Sequence, residues 1–450
     1  MNLRRIIILI SFCGCLACKA MAQEGENPLT SKEQGLLPVR LTLKDALQSV
    51  DTINLQVMMA NARLEQAIAR ISQSESDLLP HLDGIASGGR QTADLRSEGI
   101  QFPGFGPHIG PYNSFDARAR VTIALFDPSA FERFQAAKKG EKLSEAELEK
   151  TREDVLALVA SLFVDAQRKQ QTVGFLKILL DRDRKGYEVS EYGYSEGTAT
   201  LLDSNKFKSD LDQTRYLFAQ AKQQAEDACL DLEAALQLPL DAPLELLDDE
   251  SFTKQLENNA AVNFNDATNA DMVLAASQLE AHKADQKTAY ADFLPAISGT
   301  ADYGRNGESP EHGSNTYFVG LQATVPLWEG GAQQANLKEV KGEIKEDQAN
   351  LKDAGQQEQV NIAKARAAIM EADDLRQAKA QEFQTAYRAL QIARHAQEIG
   401  TGTVLGLMQA KADLATAEDD YNEAQATWVM AHIDLLHAQG RLRDLINKGG

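Results

Sequence analysis

The 450-residue sequence predicts a mainly α-helical fold with a smaller β part, in which long helical hairpins pack as coiled coils beside four β-strands. Three observations predict this fold class. Only 6% of the residues are aromatic although 43% are hydrophobic, and long stretches mix alanine and leucine with charged residues. Two very long segments contain no proline, and segments with alternating apolar and polar residues precede them. The whole order of segments occurs twice along the chain.

The N-terminal segment is predicted to be a secretory signal peptide comprising residues 1–22. Arg4 and Arg5 precede an apolar run from Ile6 to Phe12, and small residues lead to the cleavage pattern Ala20-Met21-Ala22. A helix that spans a bilayer needs about 20 apolar residues, so this run is too short to be one. We therefore expect the protein to be exported.

The cysteines and the net charge narrow the class of protein further. Acylation of Cys18 is the alternative to cleavage after Ala22, but Cys15 stands where a lipoprotein signal carries an aliphatic residue. Cleavage after Ala22 leaves Cys229 as the one remaining cysteine, which excludes an internal disulfide. The formal net charge of −20 argues against nucleic acid as a partner.

An internal duplication organises the chain. The motif Asp77-Leu78-Leu79-Pro80 recurs 215 positions later, whereas Gly197-Thr198-Ala199-Thr200 recurs as Gly400-Thr401-Gly402-Thr403 after 203 positions. The difference of 12 residues predicts a length change in the strand-loop-strand region, where the first half carries Phe102–Pro107. We therefore divide the mature chain into a first repeat (23–240), a linker or equatorial region (241–265) and a second repeat (266–450).

Two segments are predicted to be strands with one apolar and one polar face. Residues alternate between the two faces from Phe115 to Leu125 and from Thr316 to Leu327. An apolar face opposite polar groups is typical of a membrane-barrel strand with a wet lumen, although a half-buried strand of a soluble sheet is the alternative. The predicted lipid face comprises Val121, Ile123, Leu125, Val319 and Leu321, and the predicted lumen face comprises Asp116, Arg118 and Arg120.

Four strands are too few to close a membrane barrel within one chain. The smallest barrels of this kind have about eight strands. Closure must therefore involve other subunits.

The proline-free segments are predicted to be single, very long helices. They run from Ser129 to Glu196 and from Gly331 to Ile399, which corresponds to roughly 100 Å at 1.5 Å per residue. A Gly-Thr turn follows each of them, and then a second helix with large and small residues at 3,4 spacing. In the second of these seams, Tyr421 and Trp428 are predicted to be packing residues rather than part of a ligand site.

Taken in order, these motifs resemble those of TolC-like outer-membrane efflux proteins. The resemblance covers almost everything from Leu41 to Ile446, including the strand-to-helix junctions at Leu125–Pro128 and Leu327–Gly331. It implies a homotrimer with a 12-stranded barrel in outer-membrane lipid and a helical tunnel that extends into the periplasm. It also implies a periplasmic adaptor and, through the adaptor, an inner-membrane transporter. The implied function is that of a passive exit duct for efflux or type I secretion.

The same resemblance assigns roles to the turns between paired helices. The positions that contact the adaptor in the family map onto Glu196, Gly197, Thr198, Ile399, Gly400 and Thr401. The periplasmic aperture maps onto Asp203, Gly402, Gly406 and Gln409. Glu196 departs from the apolar residue of the family pattern, Gly402 replaces an arginine, and Gly406 and Gln409 replace acids. Asp203 is therefore the one family carboxylate position of the aperture that this sequence keeps. The alternative is that Asp203 has only a local role at the end of a helix.

Two other classes of function are weighed against this one. The seven histidines are scattered, and no nucleophile, phosphate-binding or dinucleotide motif occurs, so we expect no enzymatic activity, cofactor or metal site. A periplasmic coiled-coil adaptor is the alternative function, because it would also have a signal peptide and helical hairpins. An adaptor would, however, carry one hairpin and lack the duplicated strands.

Overall fold

A computed structural model of the chain describes residues 39–94, 99, 108–240, 244–247, 252–254, 256 and 269–447. The predicted signal peptide, Cys18, the Phe102–Pro107 segment and most of the predicted 241–265 linker lie outside the described residues.

The chain runs twice through the order helix, two strands, long helix, shorter helix. The elements of the first half are β1 (Val39–Thr42), α1 (Leu43–Ile53), α2 (Leu55–Ser76), β2 (His81–Asp94), β3 (His108–Phe126), α3 (Pro128–Ser195) and α4 (Leu201–Ala235). Those of the second half are β4 (Leu244–Leu247), α5 (Ala270–Ala291), β5 (Ala296–Gly307), β6 (Gly313–Thr324), α6 (Ala332–Glu398), α7 (Val404–Ala438) and α8 (Leu442–Asn447).

The two very long helices are continuous, as the sequence predicts. Helix α3 has 68 residues and α6 has 67, so each is about 100 Å long. Asp127 caps α3 by accepting from the backbone N–H of Ala130, and Pro128 stands at the first turn, where its missing N–H costs nothing. No helix among the described residues is both long and apolar enough to cross a membrane.

The larger sheet is antiparallel throughout, in the order β2-β3-β5-β6. Among the described residues, β2 pairs only with β3 and β6 only with β5, so the outer edges of β2 and β6 are open. Strand β3 pairs with β5 from Phe115 onward, whereas its first part pairs with β2 alone. The β2–β3 hairpin therefore projects beyond the β5–β6 hairpin, and the predicted length change between the repeats lies here.

Strand β6 is shorter than predicted. The apolar alternation continues to Leu327, but the strand ends at Thr324. Pro326 has no N–H for the ladder and restricts the backbone of Val325, so pairing stops before it. Val325 and Leu327 are exposed residues of the connection to α6, which corrects the sequence-based prediction.

Helix α3 lies in the middle of a helical wall and α6 lies at one of its edges. Near the sheet the helices pack in the order α2-α3-α5-α6, and near the helical turns in the order α4-α3-α7-α6. Accordingly, 15 residues of α3 are buried but only six of α6, although the helices have nearly equal lengths. The wall thus has α2 and α4 at one edge and α6 at the other.

The main hydrophobic core surrounds the middle of α3. Val159, Phe163, Leu232 and Trp428 are almost completely buried there, and the two-stranded parallel sheet β1-β4 lies beside them. Trp428 is 1% exposed and donates from Nε1 to Asp373 Oδ1 at 2.6 Å, as expected for a buried tryptophan that packs in the predicted seam.

Charged side chains next to this core tie five helices together. Buried Glu153 of α3 accepts from the backbone N–H groups of Leu442 and Arg443 and so holds α8. Lys150 forms ion pairs with Asp154, at 3.2 Å, and with Asp271 of α5, at 2.5 Å. Two further ion pairs complete the cluster, from Arg152 of α3 to Asp51 of α1 and from His437 of α7 to Asp154.

The His437–Asp154 contact predicts a specific pH dependence of stability. The hydrogen bond from His437 Nε2 to Asp154 raises the pKa of His437 above its ordinary value. Its contribution to stability is fully present below the unfolded pKa of about 6.5 and is lost as the pH rises through the folded pKa. We expect His437→Gln to lower the melting temperature at about pH 5.5 and to have a smaller effect at about pH 8.5.

Thermal unfolding of the purified protein at a series of pH values checks this. His395→Gln is the matched control, because His395 pairs with Glu398 on a largely exposed surface, where an ion pair contributes little. A destabilisation by His437→Gln that is equal at all pH values would contradict the expectation.

Candidate functional site

One face of the four-stranded sheet is apolar and exposed. The register places Ile123, Gly299 and Leu321 side by side, and Val121, Ala301 and Val319 form the adjacent row. Gly299 provides no side chain, and the side chains of Ile123, Leu125 and Leu321 converge over it. Val319 and Leu321 are 74% and 76% exposed, so this face has no partner in a single chain.

The opposite face carries an ion-pair network. Arg118 Nη2 lies 2.5 Å from Asp116 Oδ2, and Arg118 Nη1 lies 3.1 Å from Asp302 Oδ1. Arg120 Nε lies 3.6 Å from the other Asp302 oxygen. The structure thus brings together the three residues that the alternation of β3 assigned to one polar face.

Asp302 is the member of this network that the sequence analysis missed. Its side chain is 5% exposed and is held between the two arginines. Alternation along β5 could have identified it. Thr300, Asp302 and Asn306 are separated by even numbers of residues, so their side chains lie on the same face of the strand.

The first helical turn, between α3 and α4, is closed by local hydrogen bonds. Gly197 has φ +73°, which glycine tolerates at the end of a helix. The carbonyl of Gly193 accepts from the N–H groups of Thr198 and Ala199 and from the Thr198 hydroxyl. Glu196, Gly197 and Thr198 are all exposed, as a contact surface requires.

The second turn, between α6 and α7, repeats this geometry. Gly400 has φ +78°, and the carbonyl of Ala396 accepts from the N–H groups of Thr401 and Gly402 and from the Thr401 hydroxyl. Ile399, Gly400 and Thr401 are exposed here too, and Ile399 presents an apolar side chain where the first turn has Glu196.

A glycine and an alanine exchange places between the two turns. In the first turn Gly193 faces Ala199, whereas in the second Ala396 faces Gly402. A Cβ atom on Gly402 would lie only 2.9 Å from the Ala396 carbonyl carbon and 2.8 Å from the Gln397 nitrogen. Each turn therefore requires one glycine at this contact, and the sequence analysis did not detect this constraint. An arginine at position 402, which the family resemblance implies, would place its Cβ in this contact.

One predicted aperture residue, Asp203, lies just after the first turn, and the others lie in or just after the second turn. Asp203 is at the third position of α4, where its carboxylate accepts from the Thr200 hydroxyl at 2.6 Å and from the Thr200 N–H at 3.2 Å. These hydrogen bonds lower the pKa of Asp203. Gly406 is at the same position of α7, and Thr403 accepts from its N–H without a carboxylate in return. Gln409 donates to Asp413 at 2.7 Å.

The exchange of glycine and alanine predicts a rescue experiment. Gly402→Ala should loosen the second turn, because the added Cβ overlaps the Ala396–Gln397 backbone. Adding Ala396→Gly should restore the turn, because removal of the Ala396 Cβ lets the backbone shift to the spacing of the first turn, where Gly193 faces Ala199. Protection of the Thr401 and Gly402 amides from hydrogen exchange, or resistance of the turn to limited proteolysis, measures this.

Ala199→Gly is the control, because it removes a methyl group from the corresponding contact without creating an overlap. Equal protection in Gly402→Ala and the double variant would contradict the assignment.

Comparison with known proteins identifies the family to which the chain belongs. Residues 46–237 and 266–441 match the sequence profile of the family described as outer membrane efflux protein. The protease secretion protein PrtF of Dickeya chrysanthemi is 22% identical over 354 residues, which cover 74% of this chain and 74% of PrtF. The alkaline protease secretion protein AprF of Pseudomonas aeruginosa is 22% identical over 54% of this chain and 52% of its own length.

Solved structures share the fold. The outer membrane channel CmeC of Campylobacter jejuni superposes with a TM-score of 0.73 at 18% identity, covering 88% of this chain and 85% of CmeC. The outer membrane protein VceC of Vibrio cholerae has a TM-score of 0.70 at 19% identity, covering 89% of this chain and 96% of VceC. The fold-class prediction is confirmed, and the adaptor alternative is wrong. The chain belongs to the outer membrane efflux protein family, and it has the fold of that family's channels, with long helices that extend from an outer-membrane β domain into the periplasm.

Proposed function

We propose that three copies of the chain form the exit duct of a tripartite efflux or type I secretion system. The observation that carries this proposal is that the two open edges of the protomer are formed by different elements. Strand β2, with α2 and α4 beneath it, forms one edge of the protomer, and β6, with α6 beneath it, forms the other. Two different edges that join head to tail generate a closed ring when the rotation from one copy to the next closes, and an open filament when it does not.

The number of strands and the location support three subunits. Unpaired backbone groups are not tolerated in lipid, so the edges of β2 and β6 must be covered in the outer membrane. With four strands from each chain, three copies give the 12-stranded barrel that the family resemblance implies. In this ring β6 of one subunit pairs with β2 of the next, and α6 packs against α2 and α4.

The two faces of the sheet then have different surroundings. The apolar face, with Val121, Ile123 and Leu321, faces lipid, which removes its exposed side chains from water. The polar face, with the Arg118, Asp116 and Asp302 network, lines a wet lumen. Within this network the two arginines pair with the two aspartates, so the network itself carries no formal net charge.

The helical turns are the proposed contact surface for a periplasmic adaptor, which couples the duct to an inner-membrane transporter. They lie about 100 Å from the sheet along α3 and α6, deep in the periplasm. Ile399 is the apolar side chain at the second turn, whereas Glu196 stands at the first. We therefore propose that Ile399 gives the second turn an apolar contact to the adaptor that Glu196 does not provide at the equivalent position of the first turn.

Asp203 is the proposed carboxylate of the periplasmic aperture. Its hydrogen bonds to Thr200 lower its pKa further below neutral pH and fix it at the start of α4. Because those bonds use part of its acceptor capacity, each copy binds cations weakly. The equivalent position in the second repeat is Gly406, so no second carboxylate stands there.

Two classes of transported molecule are candidates for the cargo. PrtF and AprF are named for protease secretion. We propose polypeptide export as the first candidate and small-molecule efflux as the second. Deletion of the gene in its native host, followed by protein analysis of the medium and by drug-susceptibility assays, separates the two. Loss of an exported protein supports the first candidate, and increased drug susceptibility alone supports the second.

The facing of the sheet predicts opposite effects of arginine at neighbouring positions. Val121→Arg should reduce the amount of assembled trimer in the outer membrane, because a charge on the lipid face costs roughly 2 to 4 kcal/mol near the midplane. Thr122→Arg should assemble, because Thr122 is on the polar face. Trimer is measured by heat-modifiable migration of outer-membrane fractions. Similar losses in both variants would show that the faces are assigned wrongly.

The aperture residues predict a pattern of block by trivalent cations in planar bilayers. The unmodified channel should be blocked weakly from the periplasmic side, and Asp203→Asn should abolish the remaining block. Gly406→Asp with Gln409→Asp should create strong block, because rings of like charge concentrate multivalent cations.

Glu196→Gln is the matched control, since it removes a carboxylate from the turn itself and should leave the block unchanged. Strong block in the unmodified channel that survives Asp203→Asn would contradict the role of Asp203.

A further inference from the structure

The polar face of the sheet contains an aromatic side chain that the ion-pair network does not use. Where all four strands pair, the described residues of this face are charged, hydroxyl-bearing, amide-bearing or small, apart from His81, Ile85 and Phe318. Phe318 is 56% exposed. Its neighbours along β6, Tyr317 and Val319, point to the apolar face, so Phe318 interrupts a clean alternation.

Gly320 makes room for the Phe318 ring. A Cβ atom on Gly320 would lie 2.5 Å from Cζ and 2.8 Å from Cε1 of Phe318, a separation that no side chain accepts. Residues two apart on a strand share a face, so the ring leans along β6 over the glycine. The ring therefore lies against the wall and presents one side to the space in front of the sheet.

The charges beside the ring are already paired. Phe318 stands opposite Asp302 in the register, and Asp302 stands opposite Arg120. Asp302 accepts contacts from Arg118 and Arg120, and Arg118 also holds Asp116. The ring is thus an apolar surface next to a neutralised cluster rather than a site for a free ion.

We propose that Phe318 is a contact site in the channel lumen for uncharged aromatic groups of the transported molecule. This inference rests on the proposed function, because it requires that the polar face lines the lumen. In the closed ring, β2 of the next subunit covers the edge of β6. Apart from Ile85, the polar face of β2 carries polar and small side chains, so the ring stays accessible.

The chemistry follows from the ring and from its surroundings. Aromatic groups pair with one another with a preference of about 0.5 to 1.5 kcal/mol beyond simple burial, which corresponds to roughly two- to tenfold in binding. A contact of this strength slows a passing group without trapping it, as conduction requires. Because the nearby charges are paired, the contact should depend little on salt.

Single-channel recording of the purified protein in planar bilayers tests the proposal. N-acetyl-phenylalaninamide is the probe and N-acetyl-alaninamide its inactive counterpart. We expect the aromatic probe to interrupt the current, Phe318→Ala to weaken this block roughly two- to tenfold, and the block to be similar at low and high salt. Val319→Ala, one residue away on the apolar face, should leave the block unchanged.

Two further arms define the site and its cargo. Gly320→Ala keeps the ring but displaces it, and should also weaken the block. An uncharged glycine-serine peptide with one phenylalanine, compared with the same peptide carrying alanine, tests for contact with a polypeptide in transit. A longer dwell time of the phenylalanine peptide assigns the site to polypeptide cargo, whereas block by the small probe alone assigns it to small aromatic molecules.

The outcomes separate this inference from the proposed function. A conducting channel that the aromatic probe does not block, or blocks equally in Phe318→Ala, overturns the inference and leaves the exit duct intact. A purified protein that forms no conducting channel contradicts both.

Discussion

The open hydrogen-bonding edges of β2 and β6 are the constraint on which the rest of the structure depends. A sheet edge carries a row of N–H and C=O groups, and lipid supplies no partner for them. Four strands cannot bend into a barrel that covers its own edges. In the proposed ring, one edge of the chain therefore meets the opposite edge of another copy. The helices at the two edges also differ, because α2 and α4 lie below β2 and α6 lies below β6.

Helix α3 makes this arrangement rigid within one protomer. It contacts α2, α4, α5 and α7, and its middle third passes through the main hydrophobic core. The ionic cluster around Lys150, Glu153 and Asp154 joins the start of each repeat and the end of the chain to the same stretch of α3. The two helical hairpins thus share one support, while their turns, closed only by local hydrogen bonds, are free to present different side chains.

Much of the fold could be predicted from the sequence because its signals are periodic. The absence of proline predicted α3 and α6, alternation predicted the faces of β3, and the 3,4 spacing predicted the burial of Trp428. Features that depend on contacts across the fold were missed. Asp302 is buried only because Arg118 and Arg120 lie on the neighbouring strand, and Gly402 is explained only by the position of Ala396. The end of β6 was placed too late, although Pro326 could have indicated it.

The number of chains in the detergent-solubilised particle tests the central claim most directly. Light scattering combined with absorbance and refractive-index detection gives the protein mass of the particle without the detergent. The head-to-tail closure of β6 on β2 predicts the mass of three protomers. A stable monomer, or a dimer, would contradict the account, because the open strand edges would then be covered in some way other than by a three-subunit ring.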